Sequence, residues 1–219
     1  MTHHLRVKVC GVTSPEEARR IAELGADALG LNFYLASPRY VDPARAAAIL
    51  HELPPFVEAV GLFVNVPLRE AVAALAPLPR VRCVQWHGEH PEPPDAPGYH
   101  FIPAFPVRDE ANLAQITRYL DLCREVGRLP AAVLIDAHVT GQYGGTGRTA
   151  PWRLLASFRP GVPLVLAGGL TPDNVAEAVR VVRPYAVDVA SGVESAPGVK
   201  DLDKVRWFIE RARAGSSSS

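Results

Sequence analysis

The stretch Pro163-Leu164-Val165-Leu166-Ala167-Gly168-Gly169-Leu170-Thr171-Pro172-Asp173-Asn174 holds, in order, an apolar run, a glycine pair and a helix-opening signal. Pro163–Ala167 is apolar without in–out alternation, the pattern of a strand covered on both faces of a parallel sheet. Gly168-Gly169 breaks the run. Thr171-Pro172-Asp173-Asn174 then supplies capping side chains, a proline suited to the first helical position and an acid near the positive end of a helix dipole, ahead of the amphipathic Val175–Val182. The unit is strand, loop, helix.

The same unit recurs along the chain in both directions. Strand candidates are Leu5–Cys10, Ala28–Phe33, Val57–Val64, Val81–Trp86, His100–Phe105, Ala131–Asp136, Pro163–Ala167 and Ala186–Ala190. Between them lie helical patterns: one opened by Ser14-Pro15-Glu16-Glu17 and stopped at Gly25, one from Asp42-Pro43 to about Leu50, then Pro67–Leu75, Asp109–Val126, Trp152–Phe158 and Leu202–Arg213. Glu89–Gly98 is proline-rich and predicts no helix. Eight strands alternating with helical patterns in about 200 residues predict an α/β fold, a single (β/α)₈ TIM barrel over residues 1–213, with a doubly wound open sheet as the alternative. Ala214–Ser219 reads as a disordered serine-rich tail.

Composition narrows the function. The 219 residues are 48% hydrophobic, enough for one full core. Lys plus Arg and Asp plus Glu are 23 each, so there is no basic excess of the kind nucleic-acid binders carry. Cys10, Cys83 and Cys123 are scattered and form no ligand spacing, which argues against zinc or a disulfide framework. No apolar run approaches a membrane span and the N-terminal stretch has no signal-peptide core, so a cytoplasmic protein is expected.

In a barrel of this kind the chemistry sits at the C-terminal ends of the strands. Cys10-Gly11 ends the first strand, where a thiol faces either the mouth or the core, and neighbouring helix N-termini can draw its pKa toward neutrality. Asp136 ends the sixth; a carboxylate closing an apolar run either faces the polar mouth or caps a turn. The following loop, His138–Thr149, carries Gly144, Gly145, Thr146 and Gly147 and suggests a lid or an amide-lined cradle. It is not a P-loop, since Gln142 and Arg148 stand where glycine and lysine are required. Nor is it a dinucleotide fingerprint, because it lies too far beyond its strand.

Gly168-Gly169 and Ser191-Gly192, after the seventh and eighth strands, occupy the habitual phosphate site of such barrels. Arg39, after the second strand, offers a fork for a carboxylate or a surface salt bridge, with aromatics nearby that could stack on a ring or pack the loop. His87 is catalytic, substrate-binding or structural, and an orienting role is the preferred reading. His90 adds too few ligands for a metal pair.

Lys8-Val9-Cys10-Gly11, Ser37-Pro38-Arg39-Tyr40-Val41, Val84-Gln85-Trp86-His87-Gly88, Leu134-Ile135-Asp136, Gly144–Gly147, Ala167-Gly168-Gly169-Leu170 and Ser191-Gly192-Val193-Glu194 with Gly198-Val199-Lys200-Asp201 together resemble, in order, the phosphoribosylanthranilate isomerase family of tryptophan biosynthesis. The resemblance implies an Amadori rearrangement of N-(5-phosphoribosyl)anthranilate with no metal or organic cofactor. It implies Asp136 as general acid and Cys10 as general base. Arg39 would take the anthranilate carboxylate, and the amides of Gly168, Gly169, Ser191 and Gly192 the phosphate. His87, Gly145, Thr146 and Gly147 are possible supporting residues. The partner implied is a small phosphoribosyl substrate, with neither nucleic acid nor membrane, acting on a monomer or homodimer.

Trp86, Leu35-Ala36 and Ala150-Pro151-Trp152 depart from the family pattern. The alternatives are the related phosphoribosyl isomerase of histidine biosynthesis, whose family has aspartate where Cys10 stands, and a non-catalytic barrel binding a phosphate ligand.

Overall fold

The computed structural model describes residues 4–89, 91–137 and 152–217. Eight parallel strands close into a barrel in chain order: β1 (Arg6–Cys10), β2 (Ala28–Asn32), β3 (Glu58–Val64), β4 (Cys83–His87), β5 (His100–Pro106), β6 (Val133–Asp136), β7 (Leu164–Ala167) and β8 (Ala186–Val189). The pairing of β1 with β8, with Lys8 opposite Asp188, makes the closing seam. The open sheet is thereby excluded.

Around the strands run α1 (Pro15–Glu23), α2 (Pro43–Glu52), α3 (Leu68–Leu75), α4 (Glu110–Glu125), α5 (Trp152–Leu155), α6 (Val175–Val182) and α7 (Leu202–Ser217). The expected starts have physical causes that the structure makes visible. Ser14 Oγ accepts from Glu17 N at 3.1 Å, Asp42 Oδ1 from Arg45 N at 2.7 Å and Asp109 Oδ1 from Asn112 N at 3.0 Å. Gly25 follows α1 with φ of +97°, a conformation that other residues adopt only under strain.

Some elements depart from expectation by more than a residue. Strand β4 starts two residues later and ends one later than read, because Val81 N turns back to the Leu78 carbonyl while Arg80 is tied to the carbonyls of Leu50 and Leu53. His87 is therefore part of the strand, opposite Val64 and Ala104. Helix α5 stops at Leu155, short of Phe158. Helix α7 passes Arg213 and continues to Ser217, with Gly215 buried against Ala176, so Ala214–Ser217 is helix rather than a disordered tail. A short antiparallel pair, β9 (Glu194–Ala196) and β10 (Val199–Lys200), follows β8 and was not read from the sequence.

The core has two parts. Side chains such as Val7, Val9, Leu29, Leu31, Leu166 and Val187 point outward from the strands to meet Ile21, Ile49, Leu75, Ile116 and Phe208 of the helices. Each such fully buried chain is worth roughly 1.5–3 kcal/mol relative to exposure. The inward-pointing set on the opposite side of the strands, Ala104, Ala132, Leu134, Val165, Ala167 and Ala186, fills the interior of the β5–β8 wall.

Candidate active site

Alternation along β1 puts Val7 and Val9 in the outer core and turns Lys8 and Cys10 inward. Lys8, 7% exposed, reaches Asp188 of β8 with Nζ to Oδ1 at 2.9 Å. Its charge also acts on Cys10, whose thiol stands one step nearer the C-terminal end. Gly30 of β2 makes room for both side chains. A methyl group there would lie 2.6 Å from Cys10 Sγ and 3.1 Å from Lys8 Nζ.

Two charges taken out of water survive only because they are paired and hydrogen-bonded. Burial lowers the Lys8 pKa, but Asp188 and Cys10 outweigh it and the ammonium is held above its ordinary value. For Cys10 the balance goes the other way. Burial is the largest influence and pushes the thiol up; Lys8 and Lys200 draw it down, while Asp188 opposes them. The site places a cation near the sulfur, yet burial keeps the thiol above its ordinary range.

Asp136 closes β6 at the same end of the barrel, half-buried, opposite Pro106 and Ala167. His87 closes β4 and senses Asp136 as well as Lys8 and Asp188, so it stands among the groups of the mouth. Burial, with help from Lys8, lowers its pKa against the two carboxylates, so the imidazole is neutral. Its Nε2 is 2.8 Å from the amide nitrogen of Gln85, a residue only 2% exposed that fixes the ring. An orienting or hydrogen-bonding role fits this environment.

Arg39 is positioned by its loop. Asn32, at the end of β2, donates from Nδ2 to Ser37 Oγ at 3.0 Å and accepts from Tyr34 N at 2.9 Å. Ser37 Oγ in turn accepts from Arg39 N at 3.1 Å. The Arg39 side chain then lies across Gly11, where any side chain would collide with it. Its fork meets Glu194, with Nε to Oε1 and Nη2 to Oε2 both 2.7 Å. The salt-bridge reading of Arg39 is thus realised, though beside Cys10 rather than on the open surface. Phe33 does not enter the mouth; it stacks on Phe63 with ring centroids 5.1 Å apart in the outer core.

The two glycine loops adjoin. Gly168 and Gly169 have φ of +91° and +64°, which glycine alone adopts freely. Gly192 sits in a single 3₁₀ turn, Ser191–Val193, so close to the Leu170 carbonyl that a side chain could not fit. Asn174 ties the first loop down, donating to the Gly169 carbonyl at 2.9 Å and accepting from Thr171 N at 2.8 Å. Gly145, Thr146 and Gly147, with the rest of the expected lid, lie outside the described residues. Trp86 points away from the mouth, donating to the Val66 carbonyl at 2.6 Å.

The family model described as N-(5'-phosphoribosyl)anthranilate (PRA) isomerase matches residues 7–211. The chain belongs to the PRA isomerase family. A PRA isomerase from Geobacter metallireducens is 49% identical, over 96% of this chain and 100% of that one. The crystal structure of the Thermotoga maritima phosphoribosyl anthranilate isomerase superposes with a TM-score of 0.81 at 39% identity, covering 96% of this chain and 99% of that one. A PRA isomerase crystallised with reduced 1-(o-carboxyphenylamino)-1-deoxyribulose 5-phosphate gives 0.78 at 36% identity, again over 96% and 99%.

The sequence reading missed the side chains that support its candidates. Lys8 and Asp188 are charges inside apolar runs, where the cost of burial was a usable signal. Glu194 and Lys200 had no local signal, because what matters is their packing on Arg39. Among the described residues no group of three or more His, Cys, Asp or Glu is placed to hold a metal ion, and no helix is long and apolar enough to cross a membrane.

Proposed function

We propose that the protein isomerises N-(5'-phosphoribosyl)anthranilate to 1-(2-carboxyphenylamino)-1-deoxyribulose 5-phosphate by general acid–base catalysis. The observation that carries the reading is the position of Cys10 and Asp136 at the C-terminal ends of β1 and β6 in one closed barrel, above two adjoining glycine loops.

Asp136 donates a proton to the ribose ring oxygen as the bond from that oxygen to C1 breaks, and the anilino nitrogen lone pair forms a C=N⁺ bond. Cys10, as thiolate, removes the proton from C2. The released electron pair makes the C1=C2 bond of an enolamine and returns its charge to nitrogen, and tautomerisation gives the ketone. Electrons are only rearranged within the substrate, so the step calls for no redox partner. Each positioned proton transfer is typically worth about 10²–10⁴ in rate.

Lys8 supports the thiolate at the moment it forms, through a charge already in place beside it. Arg39 presents donors for the anthranilate carboxylate, and the amides of Gly168, Gly169, Ser191 and Gly192 approach the phosphate without side chains between. Every group invoked belongs to one chain, so either a monomer or a homodimer is compatible, and the cytoplasm is the expected place of work.

Fluorescence loss on turnover of anthranilate ribose phosphate tests the reading, run beside the phosphoribosyl substrate of the histidine-pathway isomerase. Turnover of the first far exceeding the second is expected; preference for the second, or turnover of neither, would overturn it.

A further inference from the structure

Glu194 begins β9, immediately after the 3₁₀ turn that carries Ser191 and Gly192. Its carboxylate is 5% exposed and lies between two cations. On one side Arg39 binds it through Nε and Nη2. On the other, Lys200 Nζ, wholly buried, is 2.8 Å from Glu194 Oε1 and 3.2 Å from the Ala190 carbonyl. Burial alone would raise the Glu194 carboxyl, but hydrogen bonds from Arg39 and Lys200 outweigh it and keep the group ionised.

The backbone around this trio is interlocked. Lys200 N donates to Glu17 Oε1 at 2.8 Å, Thr13 Oγ1 to the Gly198 carbonyl at 2.8 Å, and Lys204 Nζ to the Glu194 carbonyl at 2.9 Å.

A guanidinium has five N–H donors in a rigid plane. The Glu194 contact uses two of them along one edge. The end of the fork, with one N–H from each terminal nitrogen, stays available for a second carboxylate bound side by side. Arg39 is also the more accessible partner, 22% exposed against 5% for Glu194.

We infer that Glu194, anchored by Lys200, is a positioning residue that fixes the Arg39 plane so that the free end of its fork receives the aryl carboxylate of the substrate. Glu194 itself does not touch substrate. It sets specificity by removing the rotamer freedom that Arg39 would otherwise lose on binding. This rests on the proposed role of Arg39, and the test separates the two.

Kinetics of wild type, Arg39→Ala, Glu194→Gln and the double variant are compared, together with binding of the reduced product analogue and of inorganic phosphate. A charge-assisted contact is roughly twice as strong as a neutral one, so Glu194→Gln is expected to raise KM about tenfold with kcat nearly kept. It should weaken the analogue in parallel and leave inorganic phosphate unaffected. In the Arg39→Ala background, Glu194→Gln should add nothing to KM.

A loss of phosphate binding equal to that of the analogue, a fall in kcat in place of the KM effect, or a full effect persisting without Arg39 would each overturn the inference. An unchanged KM in Arg39→Ala would instead overturn the carboxylate role of Arg39. Should circular dichroism show Glu194→Gln unfolded, Glu194→Gln/Lys200→Met, which removes both buried charges together, carries the same expectations.

Discussion

Two parts of the barrel's inner wall are built in unlike ways. Along β8, β1 and β4 it is charged or polar: Asp188, Lys8, Cys10, Gln85 and His87. Along β5, β6 and β7 it is apolar and mostly small, with Ala104, Ala132, Leu134, Val165 and Ala167. Both halves are buried, and they are held by different means. The alanine half gains from packing and asks nothing of its neighbours. The charged half holds two ions out of water, stable only while both are present.

The contrast shows where the fold spends stability. The proposed base, Cys10, sits in the costly half, where a buried ammonium can act on its charge. The proposed acid, Asp136, closes β6 at the C-terminal rim, opposite Ala167 of the alanine half.

Breaking the comparison at its proposed catalytic ends should have the largest effect. Cys10→Ala and Asp136→Asn are each expected to lower kcat/KM by about 10²–10⁴, with unchanged circular dichroism and phosphate binding. Wild-type turnover in either would dissociate that residue from the reaction.

Lys8→Met, in the charged half, leaves Asp188 buried without its cation and is expected to destabilise by about 3–5 kcal/mol in denaturant unfolding. Lys8→Met/Asp188→Leu should recover much of that stability and none of the activity. A double variant as unstable as the single one would mean that the pair is not the source of the cost.

Leu134→Ala, in the apolar half, should cost about 2–5 kcal/mol by the same assay. In contrast to the Lys8 variant, it should leave the pH dependence of turnover where it was. A shift of that dependence on changing Leu134 would erase the distinction between the halves.

The sequence made the apolar half and the outer core easy to read, because hydrophobic period and glycine-flanked runs report burial directly. Ser14, Asp42 and Asp109 announced their helices through chemistry local to a few residues. The seam was harder. Lys8 and Asp188 are 180 positions apart, and only barrel closure sets them opposite each other. Arg39 and Glu194 are separated by 155 positions for the same reason, so a salt bridge could be imagined for Arg39 but its partner could not be named.

The helical end at Ser217 escaped because a serine run scores as a poor helix former, whereas packing of Gly215 on Ala176 decides the matter. The family resemblance brought Cys10 and Asp136 together on paper. It carried no information on the burial that raises the thiol.

The most direct measurement follows the C2 hydrogen itself. Substrate deuterated at ribose C2 is turned over across a range of pH by the wild type and by Cys10→Ala, and the rate of C–D cleavage is read by mass spectrometry. Since burial lifts the thiol above its ordinary value, the thiolate fraction, and with it the wild-type cleavage rate, should climb with rising pH toward the alkaline side of the usual thiol range. The variant should show neither the rate nor the climb. Cleavage by Cys10→Ala at the wild-type rate and with the same pH dependence would contradict the assignment of the sulfur as the base.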